Sequence, residues 1–118
     1  MSKSKRRSAY RRGHIAELLA CFALILKGYR ILERRCRTPV GEIDIIARRK
    51  DLILFVEVKA RRDTQTALDS ISVTAQKRIE SAAEYWLSRQ REGARYSWRF
   101  DAVTVKPWSW PEHFKNVW

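Results

Sequence analysis

The chain has 118 residues, 45% of them hydrophobic, which is enough for one compact domain, residues 1–118, with a modest core. Its 25 Lys and Arg against 13 Asp and Glu give a net charge of +12, which predicts attraction to polyanions such as nucleic acid or an anionic membrane surface.

Two cysteines outside any Cys-x-x-Cys pair exclude a disulfide framework and indicate a cytoplasmic protein. The apolar stretch 18–26 is too short to span a bilayer and is not followed by a cleavage pattern, so we expect a buried helix there and no membrane partner.

The first half of the chain predicts one helix and three strands. Residues 8–27 contain no proline, are rich in Ala and Leu, and stop before Gly28, as in a helix closed by glycine. Alternating or continuous apolar runs predict strands at residues 29–37, 41–48 and 52–60, the last two close enough for a hairpin. The basic N-terminus, residues 1–12, is predicted to be flexible, and it fits a solvated tail as well as a phosphate-binding one.

The second half predicts a helix, a strand and an aromatic tail. Residues 61–74 are polar and lack an apolar period, so we expect a loop with at most one helical turn. Apolar residues recur at three- and four-residue steps over residues 73–92, which predicts a helix, and residues 98–105 alternate as a fourth strand. The tail, residues 107–118, is predicted to cover the core irregularly, although exposed aromatics there could stack on bases or a partner. The order α-β-β-β-α-β predicts an α/β fold with a mixed sheet flanked by helices.

Acidic residues interrupt two of the apolar strands. Glu42 and Asp44 lie in the second predicted strand and Glu57 in the third, where burial of an unpaired carboxylate is costly. A two-residue turn at residues 49–50 would place Glu42 opposite Glu57. It would also direct Glu42, Asp44, Glu57 and Lys59 to the same side of the sheet, because side chains alternate with period two.

In that register Asp44 and Glu57 are diagonal neighbours that could share a hard divalent cation such as Mg²⁺. A turn of odd length would instead send the two carboxylates to opposite faces. An ordinary strand with a polar face, on which Glu57 pairs with Lys59 or a cross-strand arginine, explains the same residues. Spacing alone leaves these interpretations open.

Several motifs together resemble the YraN family of small bacterial proteins. They are "GEIDIIA", "FVEVKARR" and "RFDAV", with "AE" in the first helix and a following "GY", and they cover residues 13–105. Asp44 is followed thirteen residues later by Glu-x-Lys on the next strand, which resembles the acid-x-Lys motif of the restriction-endonuclease and archaeal Holliday-junction-resolvase superfamily. The resemblance implies a restriction-endonuclease-like fold. Ile43 stands where that superfamily often has proline.

The resemblance also implies roles for four residues. Asp44 and Glu57 would bind Mg²⁺ or Mn²⁺, and Lys59 would lie near the attacking water or the scissile phosphate, either orienting the nucleophile or stabilising the transition state. Glu17 would complete the acidic cluster, its alternative being an ordinary acid on the helix surface.

Basic and amide side chains form the predicted DNA-contacting set. Gln76 and Lys77 resemble a basic position of the family near the start of the second helix, although Lys77 alone fits a solvated helix face. The full set comprises Arg11, Arg12, Arg37, Arg61, Arg62, Gln76 and Lys77.

We therefore expect a metal-dependent deoxyribonuclease that is structure-dependent or weakly specific and acts on DNA, branched or flapped. The alternatives are a non-catalytic nucleic-acid-binding protein, including an RNA-binding one, and a membrane-surface or protein-interaction module built on the two termini. A homodimer is expected by analogy, because superfamily enzymes that cut two strands often dimerise, but no heptad pattern supports it.

Overall fold

The computed structural model of the protein describes residues 3–118, with side chains described from residue 13 onward except that of Thr64. The predicted α/β class is confirmed, and a short helix and a short strand are present besides the six predicted elements. In chain order the elements are α1 (Lys3–Leu26), β1 (Arg30–Thr38), β2 (Gly41–Arg49), β3 (Leu52–Ala60), α2 (Thr64–Asp69), α3 (Val73–Ser88), a 3₁₀ turn (Gly93–Arg95), β4 (Ser97–Val105) and β5 (Glu112–Phe114).

The five strands form one mixed sheet in the order β1-β2-β3-β4-β5. Strands β1 to β3 are antiparallel neighbours, β3 and β4 are parallel, and β5 returns antiparallel to β4. Alternate residues of β3 enter different cores: Leu54 and Val56 pack with α1, whereas Ile53 and Phe55 pack with α3. The sheet is therefore the middle layer between two helices.

Helix α1 ends in a Schellman motif at the predicted glycine. The Tyr29 N–H donates to the Leu24 carbonyl at 3.1 Å, and the Gly28 N–H donates to the Ile25 carbonyl at 2.9 Å. Gly28 adopts a φ of +91°, which favours glycine because a Cβ atom would be strained there. No helix in the described part of the chain is long and apolar enough to cross a membrane.

The β2–β3 turn lies at residues 50–51, so the predicted turn at residues 49–50 is wrong. Arg49 remains in the strand and pairs with Leu52, while Lys50 takes the left-handed φ of +55°. The Arg49 side chain explains the difference, because its guanidinium lies 4.3 Å from the centre of the Tyr29 ring and donates to the Lys27 carbonyl at 3.0 Å. These contacts anchor Arg49 to the end of α1.

The altered turn shifts the pairing register of β2 and β3. The predicted pairing of Glu42 with Glu57 is wrong, because the last β2–β3 pair joins Ile45 to Val56. Asp44 and Glu57 are the next residues on their strands beyond that pair. Since the turn still contains two residues, the predicted parity is retained over the paired residues 45–49 and 52–56. It breaks next to Asp44, because Ile43 packs in the cluster of α3 and Ile45 in that of α1.

Residues 61–74 contain a helix, α2, and not only a loop. Asp63 caps it, since its carboxylate accepts from the Thr66 N–H at 2.8 Å, and Ala67 is buried. A helix of six residues that buries one alanine has no apolar period to reveal it. Helix α3 ends at Ser88, earlier than predicted, and is followed by Gln90, whose side chain donates to the Trp86 carbonyl at 3.1 Å.

The aromatic tail is only partly the cover that was predicted. It adds strand β5, and the Trp118 ring stacks on Phe100 with 5.5 Å between ring centroids. Trp108 and Trp110, in contrast, are exposed, so the prediction of cover is wrong for these two residues. Their surroundings differ because residues 106–111 leave the sheet between β4 and β5.

Candidate active site

A cavity of about 340 Å³ opens beside α1 where β2 and β3 cease to pair. Each surrounding element contributes a residue to it: Glu17 comes from α1, Asp44 from β2 and Val58 from β3. The cavity therefore lies where the β2–β3 ladder ends, and side chains take the place of the missing backbone hydrogen bonds.

Asp44 and Glu57 lie together at this point. The Val58 N–H donates to Asp44 Oδ2 at 2.8 Å, so a carboxylate replaces the strand partner of that backbone group. The carboxyl groups of Asp44 and Glu57 also lie close enough for each to shift the pKa of the other. Lys59 follows on β3, with its Nζ 3.5 Å from Glu57 Oε1. The structure thus brings together three of the four predicted active-site residues within direct contact.

The electrostatics of this pair favour a retained proton. Burial first, and the neighbouring Asp44 charge second, raise the pKa of Glu57 to about 8 against the opposing effect of Lys59. Burial also raises the pKa of Asp44, where the Glu17 charge adds to the effect and the Val58 N–H opposes it. Two carboxyl groups in contact cannot both ionise cheaply unless a cation joins them.

Glu17, the fourth predicted residue, is buried at 6% exposure and lines the same cavity. Its Oε2 accepts from Arg35 Nε at 3.1 Å, whereas its Oε1 is buried without a hydrogen-bond partner among the described residues. A buried carboxylate oxygen in that state is energetically costly. Glu17 therefore presents an acceptor atom to whatever occupies the cavity.

Arg35 is a site residue that sequence reasoning missed. It contacts Glu17 and also places a guanidinium nitrogen 3.0 Å from His14 Nδ1. Its φ of +51° is uncommon for a residue other than glycine and directs the side chain toward α1. Arg35 is one of several arginines in a basic strand, so the sequence carries no signal that distinguishes it.

The donor set fits a hard divalent cation held only partly by protein. Asp44 and Glu57 offer adjacent oxygens, and Glu17 adds the unpartnered one. Among the side chains that the structure describes, no three acidic, imidazole or thiol groups converge closely enough to enclose a metal by themselves. Mg²⁺ commonly uses one or two carboxylates and fills its other positions with water and phosphate oxygens. The residues present therefore fit such an ion.

Three of the predicted DNA-contacting arginines lie near the cavity. Arg37 lines it, and its Nε is 2.8 Å from Glu42 Oε1 in an exposed ion pair. Arg61 and Arg62 are exposed and directly follow β3, two and three residues after Lys59. Phosphates that enter the cavity would meet these guanidinium groups.

The other predicted contacts are not brought to the cavity. Gln76 and Lys77 belong to α3, on the other face of the sheet, and neither is among the described residues that line the cavity. The Gln76 side chain donates to the Ile71 carbonyl at 3.2 Å, which joins α3 to the segment before it. Arg11 and Arg12 have side chains outside the described residues.

Comparison with known proteins identifies the family. The sequence model of "Uncharacterised protein family UPF0102" matches residues 16–105. A UPF0102 protein of Mesorhizobium japonicum is 58% identical over 97% of this chain and 91% of its own length. UPF0102 proteins of Chelativorans sp. and Brucella canis are 55% and 56% identical, over 98% and 94% of this chain and 94% and 88% of their own lengths. The resemblance to YraN-like proteins is thereby confirmed, and the chain belongs to the UPF0102 family.

Proposed function

We propose that this protein hydrolyses phosphodiester bonds of DNA with the help of Mg²⁺ or Mn²⁺. The observation that carries the proposal is the place of Asp44, Glu57 and Lys59 just beyond the last β2–β3 pair, where Asp44 accepts from the Val58 N–H and Lys59 Nζ lies 3.5 Å from Glu57 Oε1. A structural role alone does not account for two acids placed where burial and neighbouring carboxylates, Glu17 for Asp44 and Asp44 for Glu57, oppose their ionisation.

Each residue has a role that its position supports. Asp44 and Glu57 would hold the ion, which when bound would polarise the scissile phosphate and increase the acidity of a water molecule. Lys59 Nζ would donate to a phosphate oxygen or orient the nucleophile, because it already lies next to Glu57. Glu17 Oε1 would accept from a water molecule in the cavity, and Arg35 would keep that carboxylate in place.

The surrounding charge favours a nucleic-acid substrate of weak sequence specificity. The net charge of +12 attracts the phosphate backbone, and the exposed side chains of Arg37, Arg61 and Arg62 can contact phosphates. Such contacts position a duplex and carry no sequence information. We therefore expect selection by DNA structure.

The second candidate function is nucleic-acid binding without catalysis. The same net charge of +12 supports it, since attraction to phosphates requires no acidic pair. The two functions predict different effects of replacing Asp44: nucleic-acid binding would persist, whereas hydrolysis would be lost.

Cleavage assays separate these candidates. Linear, branched and flapped DNA would be incubated with Mg²⁺ or Mn²⁺ and with the protein, Asp44→Asn or Lys59→Met. Exposed residues supply matched controls, Asp69→Asn and Lys115→Met. We expect both site variants to lose at least about a hundredfold in cleavage rate while they retain DNA binding, because they remove charge that acts in the transition state.

Equal cleavage by all five proteins would indicate a contaminating nuclease and would leave the binding function. Calorimetric titration with Mn²⁺ gives an independent result. Heat of binding that disappears in Asp44→Asn and persists in Asp69→Asn supports the site, and no heat with the unsubstituted protein in the presence of DNA contradicts it.

A further inference from the structure

A second and larger groove joins the candidate active site. Its volume is about 1100 Å³, and it shares Gly13, Ala16, Val58 and Ala60 with the cavity that holds Glu17 and Asp44. Lys59 also lines the groove. This volume exceeds the range of about 300 to 1,000 Å³ typical of small-molecule pockets and suits an extended chain. A ligand lying in the groove would reach the acidic residues without a break.

The groove combines an apolar floor with a basic rim. Ile15 and Leu19 of α1 form part of the floor, and Arg61 and Arg62 stand on the rim next to Lys59. Lys106, also on the rim, is partly neutralised by Glu112 at 3.0 Å. Arginines beside an apolar surface fit a ligand that has both a phosphate backbone and flat apolar faces.

Two exposed tryptophans also line this groove. Trp108 is fully exposed, at 104% of the reference area, and Trp110 is 58% exposed. Trp108 also adopts a φ of +58°, an uncommon and strained conformation for a bulky residue. Pro107 and Pro111 flank this pair and restrict the backbone. The segment therefore holds large aromatic rings in water when burial would be more favourable.

We propose that this groove binds unpaired nucleotides, whose bases stack on Trp108 and Trp110 while Arg61 and Arg62 contact the backbone. Stacking on exposed aromatic rings requires bases whose faces are free, which duplex DNA does not offer. The strand would continue toward Asp44, Glu57 and Lys59. The substrate class is then DNA in which a single-stranded segment adjoins the point of cleavage, such as a flap or a splayed end. This last step rests on the proposed function, whereas binding of single strands by the groove does not.

Binding without metal tests the groove by itself. Fluorescein-labelled oligo(dT) and a duplex of the same length would be titrated in EDTA with the protein, Trp108→Ala and Trp110→Ala. Trp98→Ala is the matched control, because that tryptophan is 52% exposed on β4 and lies outside the groove lining given by the described residues. We expect each groove variant to bind oligo(dT) about tenfold more weakly, with duplex affinity nearly unchanged. Trp108→Phe should restore most of the affinity, and oligo(dT) should quench the fluorescence of the protein less in Trp108→Ala.

Equal oligo(dT) affinity in Trp108→Ala, Trp110→Ala and Trp98→Ala would overturn the inference. The inference would also be overturned if the groove variants kept their oligo(dT) affinity but lost self-association or binding to anionic vesicles. The surface would then bind a second copy of the protein or a membrane. Asp44→Asn should bind oligo(dT) normally. If that variant and the unsubstituted protein both fail to cut DNA while the tryptophan effect persists, the proposed function fails and the groove stands. If Asp44→Asn loses cleavage and the tryptophan variants bind oligo(dT) normally, the proposed function stands and the inference about the groove fails.

Discussion

Replacing Asp44 with asparagine should stabilise the metal-free protein at pH 8. The side chain keeps its shape and can still accept from the Val58 N–H, which donates at 2.8 Å, but it no longer places a negative charge beside Glu57. Proteins often gain stability when repulsion at a functional site is removed. The same substitution should abolish stabilisation by Mg²⁺, because one of two carboxylates that would hold the ion is lost.

The magnitude follows from the protonation of Glu57. Its pKa of about 8 lies above the ordinary value of 4.5, so the folded protein binds more protons than the unfolded chain between these values. Stability must therefore fall as the pH rises through this window, by at most about 1.4 kcal/mol per pH unit for one group. Burial is the largest cause and remains in the variant. Only the part due to Asp44 is relieved, which we place at roughly 1 to 2 kcal/mol at pH 8.

Urea unfolding at several pH values between 5 and 9 measures this difference directly. A gain of 1 kcal/mol corresponds to about 4 °C in melting temperature for a chain of this size. Asp69→Asn, an exposed acid on α2, is the control and should follow the unsubstituted protein. The reasoning is refuted if Asp44→Asn shows the same pH profile as Asp69→Asn, or if it is less stable at pH 8.

Three further predictions concern the scaffold. Asp101→Asn should lower the free energy of unfolding by roughly 3 kcal/mol at pH 7 in urea titrations, because it leaves the Arg99 charge uncompensated. In the unsubstituted protein, the contribution of Asp101 to stability should be lost only as the pH falls from about 4 towards 2. An unchanged urea unfolding midpoint in Asp101→Asn contradicts this role. Gly41→Ala should destabilise the protein by about 1 to 3 kcal/mol, because the new Cβ would lie 2.7 Å from the Arg78 carbonyl oxygen. Gly13→Ala should stabilise α1 by up to about 1 kcal/mol in the same urea titrations, because open space surrounds the new Cβ among the described atoms. Equal effects at the two glycines would argue against both expectations.

Buried acids in this sheet have two different environments. Asp101 accepts two hydrogen bonds from Arg99, contacts His113 Nε2 at 2.6 Å and accepts from the Asn116 N–H at 2.9 Å. Burial opposes its ionisation, but these partners outweigh burial and lower its pKa to about 2. For Glu57, Lys59 is the group among the described residues that opposes burial and the Asp44 charge, and its pKa rises instead. An acid whose charge the fold satisfies holds the tail in place, whereas an acid left unsatisfied is available for chemistry.

Local patterns in the sequence determined most of the elements and the parity of the acidic residues. The predicted third strand, residues 52–60, coincides with β3, and Gly28 closes α1 as expected. These features depend on neighbours a few residues apart, which the order of apolar residues and glycine encodes. A two-residue turn was also predicted from sequence, and in the structure it leaves Asp44 and Glu57 as the residues that follow the last β2–β3 pair.

Contacts between distant parts of the chain decided the rest. Arg49 stays in β2 because Tyr29 and the end of α1 hold it, so the turn position depends on a helix more than twenty residues away. Arg35, eighteen residues away, binds one oxygen of Glu17 while the other stays without a partner among the described residues, and Trp108 is exposed in a segment that leaves the sheet. Burial, charge compensation and exposure belong to the folded arrangement of many residues. Sequence therefore gives the residue types at this site, and the tertiary structure gives their ionisation and the groove that leads to them.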